Sequence, residues 1–340
     1  MTIGRLFLMR RRTLVQILGA VSLWAGLGFT ADAHAVEVIK IGTLAPAASP
    51  WGQVFKVWAK AVSEKSSGQL ELQFFFNGQQ GDEAAMVGKM KSGQLDGAAV
   101  TAVGLSKIYK PILALQIPGL FTSWAKLDAA RDAMKAEFEK GTKDAGFSLL
   151  GWGDVGTVHT LSKGIKVKLP DDLKGQKPFL WRDDAIQPVL YQLIGGVTPV
   201  PLNVPEVLPN LNTGAINIVF APALGAEQLQ WSSKLDTIVA DNQSMAIGAV
   251  VCSAKRINAL PADLLGILTD TGKIAANALT KRIRSEDDAA FNRLKGKMTV
   301  ITLSPDEKAK WDALFRQLRQ RLGQGTFSPE LISKLEGLAR

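Results

Sequence analysis

The stretch that decides the fold is residues 38–101, which read VIKIGTLAPAASPWGQVFKVWAKAVSEKSSGQLELQFFFNGQQGDEAAMVGKMKSGQLDGAAVT. Strands are predicted for its short apolar runs at 38–42, 70–76 and 97–101. Apolar residues recur at spacings of three and four after Pro50 and again after Asp82, which predicts helices at 50–67 and 82–92. A helix between successive strands predicts a mostly parallel sheet that is covered on both faces.

The same alternation of short strands and helices continues after this stretch. Strands are predicted at 147–152, 158–161, 177–181, 198–201, 215–220, 236–240 and 248–253. Helices are predicted at 124–143, 185–193 and 260–284. Ser304 and Glu307 form a capping box that predicts the start of a last helix. Pro205 and Pro209 are expected to keep the helical turn 206–208 short or kinked.

The order of these elements predicts two lobes. The chain crosses between two α/β units near Thr157 and returns near Gly248. A cleft between lobes is a common place for a small ligand. The predicted division is lobe I at 36–157 plus 248–284, lobe II at 158–247, and a carboxyl-terminal strand and helices at 285–340 that pack across the lobes.

Residues 1–35 have the three parts of a secretory signal peptide: a basic head, the apolar stretch 14–29 and the small-x-small triplet AHA. The apolar stretch is shorter than the roughly 20 residues that a spanning helix needs. The sequence therefore predicts export to the periplasm and a mature chain that starts at Val36. Arg11 and Arg12 resemble a twin-arginine signal, so the general and the twin-arginine export routes both stay open.

The composition argues against several classes of function. Without residues 1–35 the chain loses four arginines and one aspartate, so its net charge falls from +9 to +6, and these charges are scattered. Nucleic-acid binding is therefore not predicted. His159 is the only histidine after residue 35, so a multi-histidine metal site is excluded, and its strand-like surroundings predict a structural role. Cys252 is the only cysteine and is predicted to be a small buried residue. No metal and no cofactor is predicted.

Short motifs distributed along the chain point to one family. They are GTLAP at 42–46, SPW at 49–51, NGQQGDE at 77–83, GQLD at 93–96, IPGLF at 117–121, LGW at 150–152, LKG at 173–175, PVP at 199–201, EV at 206–207, TG at 213–214 and LPADL at 260–264. With the export signal, they make the chain similar to the solute-binding P-subunit of tripartite ATP-independent periplasmic (TRAP) transporters, of the dicarboxylate-binding type. The resemblance covers nearly all of the chain after the signal, in order.

This resemblance implies an α/β, two-lobe periplasmic-binding-protein fold with a ligand cleft between the lobes. It also implies a long helix that spans the hinge, which residues 260–284 are expected to supply. Proteins of this type are not enzymes. They close around a small ligand and hand it to a TRAP membrane permease made of a small and a large subunit.

The positions that would contact the ligand depart from the family pattern. Members of the family hold an organic carboxylate with an arginine in the strand after the LKG turn, and that position is Phe179 here. A second arginine corresponds to Val158, a ligand-contacting asparagine to Ala221, and a carboxylate of some members to Thr101. Because burying an unpaired carboxylate among apolar side chains is costly, the sequence predicts an apolar or amphipathic ligand.

The candidate ligand-binding residues are Thr101, Trp152, Val158, Phe179, Trp181, Val204, Val219, Phe220 and Ala221. Three alternatives stay open. An organic acid could use the shifted base Arg182, although strand alternation places it on the face opposite Phe179 and Trp181. The chain could also be a periplasmic enzyme on a two-lobe scaffold, which a lone histidine argues against. It could lastly be an accessory protein that has lost ligand binding and only scaffolds a partner.

Overall fold

The computed structural model describes residues 35–340, and the predicted signal peptide lies outside this range apart from Ala35. The strands are β1 (Glu37–Thr43), β2 (Leu70–Phe75), β3 (Gly97–Thr101), β4 (Phe147–Ser162), β5 (Phe179–Trp181), β6 (Val200–Leu202), β7 (Ile218–Pro222), β8 (Thr237–Val239), β9 (Ser244–Ser253) and β10 (Thr299–Ile301). The α-helices are α1 (Pro50–Lys65), α2 (Glu83–Lys91), α3 (Ala102–Leu105), α4 (Trp124–Asp144), α5 (Gln187–Ile194), α6 (Val204–Thr213), α7 (Ala223–Gln228), α8 (Ala254–Ile257), α9 (Ala262–Lys295), α10 (Pro305–Leu322) and α11 (Pro329–Leu338).

Helices α1 and α10 begin at the capping residues that the sequence supplies. The Ser49 hydroxyl accepts a hydrogen bond from Gly52 N at 3.2 Å, and Pro50 occupies the first turn, where no N–H is needed. At the start of α10, Ser304 Oγ accepts from Glu307 N at 3.2 Å, while the Glu307 carboxylate accepts from Ser304 N at 2.7 Å. The predicted capping box is confirmed.

Eight strands form one mixed sheet in the order β10-β8-β4-β9-β3-β1-β2, with β7 also paired to β4. β1 pairs in parallel with β2 and β3, as expected for the first half of the chain. β9 runs antiparallel to both β3 and β4, and β4 runs antiparallel to β7 and β8. The prediction of a mostly parallel sheet is wrong for the sheet as a whole, because the two long strands β4 and β9 run against their neighbours. They join the first half of the sheet, formed by β1 to β3, to the second half, formed by β7, β8 and β10.

The two strands predicted at 147–152 and 158–161 are parts of one strand, β4. The glycines between them hide this continuity in the sequence, since they interrupt the apolar alternation. The register shifts between Leu149 and Gly151 and again between Asp154 and Gly156. Gly156 has φ +139°, and a Cβ there would lie 2.6 Å from the Asp287 carboxyl carbon, so glycine is required at this bulge.

Helix α6 is longer than the short turn predicted between the two prolines. Pro205 lies in the first turn of the helix, where its missing N–H forfeits no bond. Pro209 lies inside the helix. Because it has no N–H, the helix loses one backbone hydrogen bond there, the bond to the carbonyl four residues earlier. Asn203 and Glu206 close a capping box, with Asn203 N donating to Glu206 Oε2 at 2.7 Å. This capping box stabilises the helix and offsets part of the loss caused by Pro209.

Helix α9 spans both halves of the sheet. Its 34 residues correspond to about 50 Å at roughly 1.5 Å per residue. It packs against α1 from the first half, along β4, and against α7 from the second half. The predicted hinge-spanning helix is confirmed and extends beyond its predicted end to Lys295. Near the carboxyl terminus α10 packs against α5, and α11 packs against α4. Within residues 35–340 no helix has the length and apolar character to cross a membrane.

Candidate ligand cavity

A cavity of about 240 Å³ lies between the two halves of the sheet. Its first wall comes from residues 43–118 and consists of Thr43, Leu44, Ala45, Pro46, Trp51, Phe55, Glu83, Ala99, Val100, Thr101, Val103, Gln116 and Pro118. Its second wall comes from residues 158–231 and consists of Val158, Phe179, Trp181, Asp184, Ile186, Gln187, Leu190, Val204, Phe220, Ala221, Pro222, Gly225, Gln228, Leu229 and Trp231. Its floor comes from β4, from β9 with the residue before it, and from α9, and consists of Gly153, Asp154, Val155, Gln243, Ser244, Ala246, Gly248, Ala249, Val250 and Leu279.

The second wall is built around aromatic rings. Phe179 is only 4 % exposed, and its ring meets the Trp231 ring edge-on at 5.8 Å. The Tyr191 hydroxyl donates to Phe179 O at 3.1 Å, which holds this part of β5 against α5. In the part of the chain that the structure describes, no lysine or arginine lines the cavity. The cavity therefore offers apolar surface and no positive charge.

Glu83, in the first turn of α2, is buried in the first wall. Thr101, at the end of β3, and Gly104, in α3, donate hydrogen bonds to both of its carboxyl oxygens. Its Oε1 accepts from Thr101 N at 2.7 Å, and its Oε2 accepts from the Thr101 hydroxyl and from Gly104 N, both at 2.8 Å. The Thr101 hydroxyl is thus engaged by the protein itself. Burial raises the pKa of Glu83 to about 8, since these hydrogen bonds only partly offset the loss of water. Near neutral pH this carboxyl retains its proton.

The protonated state of Glu83 has a consequence for stability. In the unfolded chain its carboxyl ionises near the ordinary pKa of 4.5, whereas in the folded protein it ionises near 8. Between these values the folded state binds more protons, so the free energy of unfolding is expected to decrease as pH rises. The variant Glu83→Gln cannot ionise and is expected to lose this part of the slope. Urea unfolding of both proteins across this pH range measures it, and identical slopes would contradict the assignment.

The carboxylate in the floor is already neutralised by arginines. The Asp154 side chain is fully buried, with Oδ1 accepting from Arg131 Nη1 and Oδ2 from Arg284 Nε, each at 2.7 Å. Both arginines also bind Asp128, which lies outside the cavity lining. The guanidinium groups behind the floor are therefore committed to protein carboxylates and are not free for a ligand anion.

A hydrogen-bonded contact joins the two walls. Asp82, the N-cap residue of α2 in the first half, accepts from Glu83 N through Oδ1. Its Oδ2 accepts from Trp181 Nε1 at 3.0 Å and from Val204 N at 3.1 Å, both in the second half. A salt bridge of 2.8 Å between Lys107 and Asp183 lies between the same two halves. We call the contact of Asp82 with Trp181 and Val204 the Asp82 latch.

His159 has the structural role that the sequence predicts. It is buried, its Nδ1–H donates to Val239 O at 3.0 Å, and its ring stacks on Phe291 at 4.3 Å. Burial lowers the pKa of His159 to about 4, so the ring is neutral near pH 7. His159 does not line the cavity. Cys252 is buried as predicted, and burial raises the pKa of its thiol to about 12.

Comparison with known families shows to which protein family this chain belongs. Residues 41–324 match the family model DctP, the bacterial extracellular solute-binding protein, family 7. The chain belongs to solute-binding protein family 7. A solute-binding protein of Sulfitobacter sp. strain NAS-14.1 is 24% identical over 278 residues, which cover 80% of this chain and 82% of that protein. The predicted family is confirmed, and its members are binding proteins rather than enzymes.

Solved structures with the same fold include periplasmic solute-binding proteins and sugar acid binding proteins with bound organic acids. A TRAP periplasmic solute-binding protein from Sulfurospirillum deleyianum with bound succinate has a TM-score of 0.83 at 20% identity, covering 89% of this chain and 99% of that chain. The sugar acid binding protein of Advenella mimigardefordensis in complex with galactonate has a TM-score of 0.83 at 17% identity, covering 90% and 99%. The predicted two-lobe α/β fold is confirmed.

The structure of this family 7 protein brings most of the candidate ligand-binding residues together. Those that line the cavity are Thr101, Val158, Phe179, Trp181, Val204, Phe220 and Ala221. Trp152 and Val219 lie outside the lining. Val219 is fully buried in the core. Trp152 packs edge-on against Phe138 of α4 at 6.0 Å, with the Arg131 guanidinium 5.7 Å from its ring. The alternation of side chains along a strand was not enough to distinguish these two packing residues from residues that line the cavity.

The alternative anchor, Arg182, does not line the cavity. Its guanidinium donates to Glu206 Oε2 at 3.3 Å and to Pro201 O at 3.4 Å, and more than half of its side chain is exposed. This placement agrees with the alternation argument, since Phe179 and Trp181 occupy the cavity face of β5.

Several polar lining residues carried no signal in the sequence. The carboxamides of Gln116, Gln187 and Gln243 belong to this group, as does the carboxyl of Asp184. Glu83 stands in one of the motifs shared with the family, but its role in the wall is visible only in the folded chain. Glutamine and aspartate are common surface residues, so their type alone does not indicate a site.

Proposed function

We propose that this protein is the periplasmic solute-binding subunit of a TRAP-type transporter and captures a small apolar or amphipathic ligand for a membrane permease. The observation that carries the ligand class is the absence of lysine and arginine from the cavity lining within residues 35–340. A carboxylate ligand would face mainly apolar side chains and the carboxyl group of Asp184, with no cation in the lining to pair with it. Each CH₂ group of an apolar ligand would instead gain roughly 0.8 kcal/mol on burial.

The neighbours with solved structures bind succinate and galactonate, which are anions. The proposal therefore assigns this chain a different ligand class from those proteins. The position that corresponds to the family's carboxylate-binding arginine is Phe179, which is fixed against Trp231 in the second wall. A hydrogen bond to a charged group contributes about 1.5–3 kcal/mol. The loss of each such contact is expected to raise the Kd for a simple diacid by at least about tenfold.

The same proposal includes the export route and the domains. Residues 1–35 would be removed as a signal peptide during export to the periplasm, by the general or the twin-arginine route. Lobe I (36–157 plus 248–284) and lobe II (158–247) would close on the ligand, with 285–340 packed across them. The packing of α10 on α5 and of α11 on α4 supports this arrangement of the carboxyl-terminal segment.

Binding measurements distinguish this proposal from the organic-acid alternative. Calorimetry of the purified protein is expected to detect no binding of succinate, malate or fumarate at millimolar concentration. Mass spectrometry of extracted molecules should identify an apolar or amphipathic ligand that co-purifies and that raises the melting temperature when it is added back. The variant Phe179→Arg is expected to weaken that binding, because it adds an unpaired charge to an apolar wall.

The matched control is Arg182→Ala, which removes a positive charge outside the lining and is expected to leave binding unchanged. Micromolar binding of succinate to the unmodified protein, lost in Arg182→Ala, would establish the organic-acid alternative instead. A protein that neither retains nor binds any small molecule would support the accessory scaffold.

A further inference from the structure

One carboxyl group in the cavity lining has an oxygen available to a ligand. Asp184 lies in the second wall, just before α5. Its Oδ1 accepts hydrogen bonds from Ile186 N at 2.6 Å and from Gln187 N at 3.2 Å. Within residues 35–340 its Oδ2 accepts no hydrogen bond, and this oxygen keeps accessible surface. The two oxygens of a carboxylate are chemically equivalent acceptors, so Oδ2 can accept from a donor in the cavity.

The other two carboxyl groups in the lining are already compensated. Asp154 is bound by two arginines, and Glu83 accepts three hydrogen bonds and keeps its proton near neutral pH. Lys107 acts on Asp184 from a distance, but its amine binds Asp183 at 2.8 Å and it does not line the cavity. Burial raises the pKa of Asp184, because its charged form loses water without gaining an ionic partner. A cation beside Oδ2 would supply that partner.

Aromatic rings border the same cavity. In the part of the chain that the structure describes, the lining includes six of them: Trp51, Phe55, Phe179, Trp181, Phe220 and Trp231. Trp51 Nε1 donates to Asp154 O at 3.2 Å, and Trp181 Nε1 donates to Asp82 Oδ2 at 3.0 Å, so these N–H groups are used by the protein. The faces of aromatic rings attract cations through their quadrupole, and they also pack against apolar groups.

We propose that the ligand is an amphipathic organic cation whose ammonium group donates to Asp184 Oδ2 and whose apolar part packs against the aromatic rings. This inference rests on the proposed function and narrows its ligand class. Within residues 35–340 the lining offers such a ligand a carboxyl group and no lysine or arginine to repel it. The volume of about 240 Å³ admits a ligand on the order of ten non-hydrogen atoms, at roughly 30 Å³ for each water-sized group.

Probes that share a skeleton and differ in charge test this inference. One series is 3-phenylpropylamine, 3-phenyl-1-propanol and 3-phenylpropanoate, and the other is octylamine, 1-octanol and octanoate. Both amines are protonated near neutral pH. Quenching of tryptophan fluorescence in purified protein freed of co-purified molecules gives the affinities. In at least one series the amine is expected to bind about tenfold more tightly than the alcohol, because only its hydrogen bond to Asp184 joins two opposite charges.

The variant Asp184→Asn removes the negative charge and is expected to abolish the preference for the amine over the alcohol. Its amide oxygen can still accept from Ile186 N and Gln187 N, so the start of α5 keeps its hydrogen bonds. Glu227→Gln is the matched control, since Glu227 carries a carboxylate in α7 that is bound by Arg293 outside the lining. This control should keep the preference. The comparison of probes in the unmodified protein remains decisive if Asp184→Asn does not fold.

The outcomes separate this inference from the proposed function. Alcohols that bind as tightly as the amines, or a preference for the amine that persists in Asp184→Asn, would overturn the role of Asp184 and leave an apolar or amphipathic ligand in place. Failure of both amines to bind at millimolar concentration would overturn the cationic class. Succinate that binds tightly, with no binding of any amine or alcohol, would overturn both the inference and the proposed function.

Discussion

The variant Asp154→Ala is expected to unfold with a free energy about 3–5 kcal/mol lower than the unmodified protein. Its side chain is fully buried in the cavity floor, where it accepts hydrogen bonds from Arg131 and Arg284 at 2.7 Å. Without it, two guanidinium groups share the single carboxylate of Asp128, and the Arg131 side chain is only 8 % exposed. A buried charge that loses its partner is far more costly than an exposed one.

Urea unfolding measures this effect as a lower midpoint with an unchanged slope. Asp144→Ala is the matched control, since Asp144 pairs with Lys140 on the exposed surface of α4 and its loss should cost at most about 1 kcal/mol. A loss for Asp154→Ala no larger than that of the control would show that the arginines find water or other partners. The cavity floor would then not depend on the network.

The elements of this fold that local sequence signals specify were predictable. β3 was predicted at its observed bounds, and α4 within one residue, because turn residues and capping serines lie next to apolar runs. The continuity of β4 was not predictable, since it depends on Gly156 fitting against the Asp287 carboxylate of α9, which is distant in sequence. The antiparallel direction of β9 likewise comes from tertiary pairing and not from its own residues.

The candidate site was partly predictable for a related reason. Alternation along β5 placed Phe179 and Trp181 on one face and Arg182 on the other, as the structure has them. Trp152 was not separable from cavity residues, because its partners Phe138 and Arg131 come from another helix. Whether a buried polar atom such as Gln187 Oε1 has a hydrogen-bond partner is decided only in the folded chain. A sequence states which groups exist but not which of them remain unsatisfied after folding.

The variant Trp181→Phe is expected to weaken ligand binding by about tenfold or more, mainly through faster dissociation. It removes the indole N–H that donates to Asp82 Oδ2 across the cavity, while an aromatic ring stays in the second wall. A hydrogen bond to a charged acceptor contributes about 1.5–3 kcal/mol, and this one joins the two halves of the protein. If the ligand binds by closure of the lobes, a weaker Asp82 latch raises the population of open protein and lowers the apparent affinity.

Asp82→Ala removes the acceptor for both Trp181 Nε1 and Val204 N, so its effect should be at least as large as that of Trp181→Phe. Trp231→Phe is the matched control, because Trp231 also lines the cavity but takes no part in the Asp82 latch.

Stopped-flow dissociation of the co-purified ligand gives the rates, and small-angle scattering at saturating ligand gives the radius of gyration. The latch variants should dissociate faster and have a larger radius than the control. Equal rates for Trp181→Phe and Trp231→Phe would show that ring size in the wall, and not the contact between the halves, controls release. Trp181 belongs to both features, since its ring lines the cavity and its N–H donates to Asp82 of the opposite half, so under the proposed function the Asp82 latch would link ligand recognition to closure.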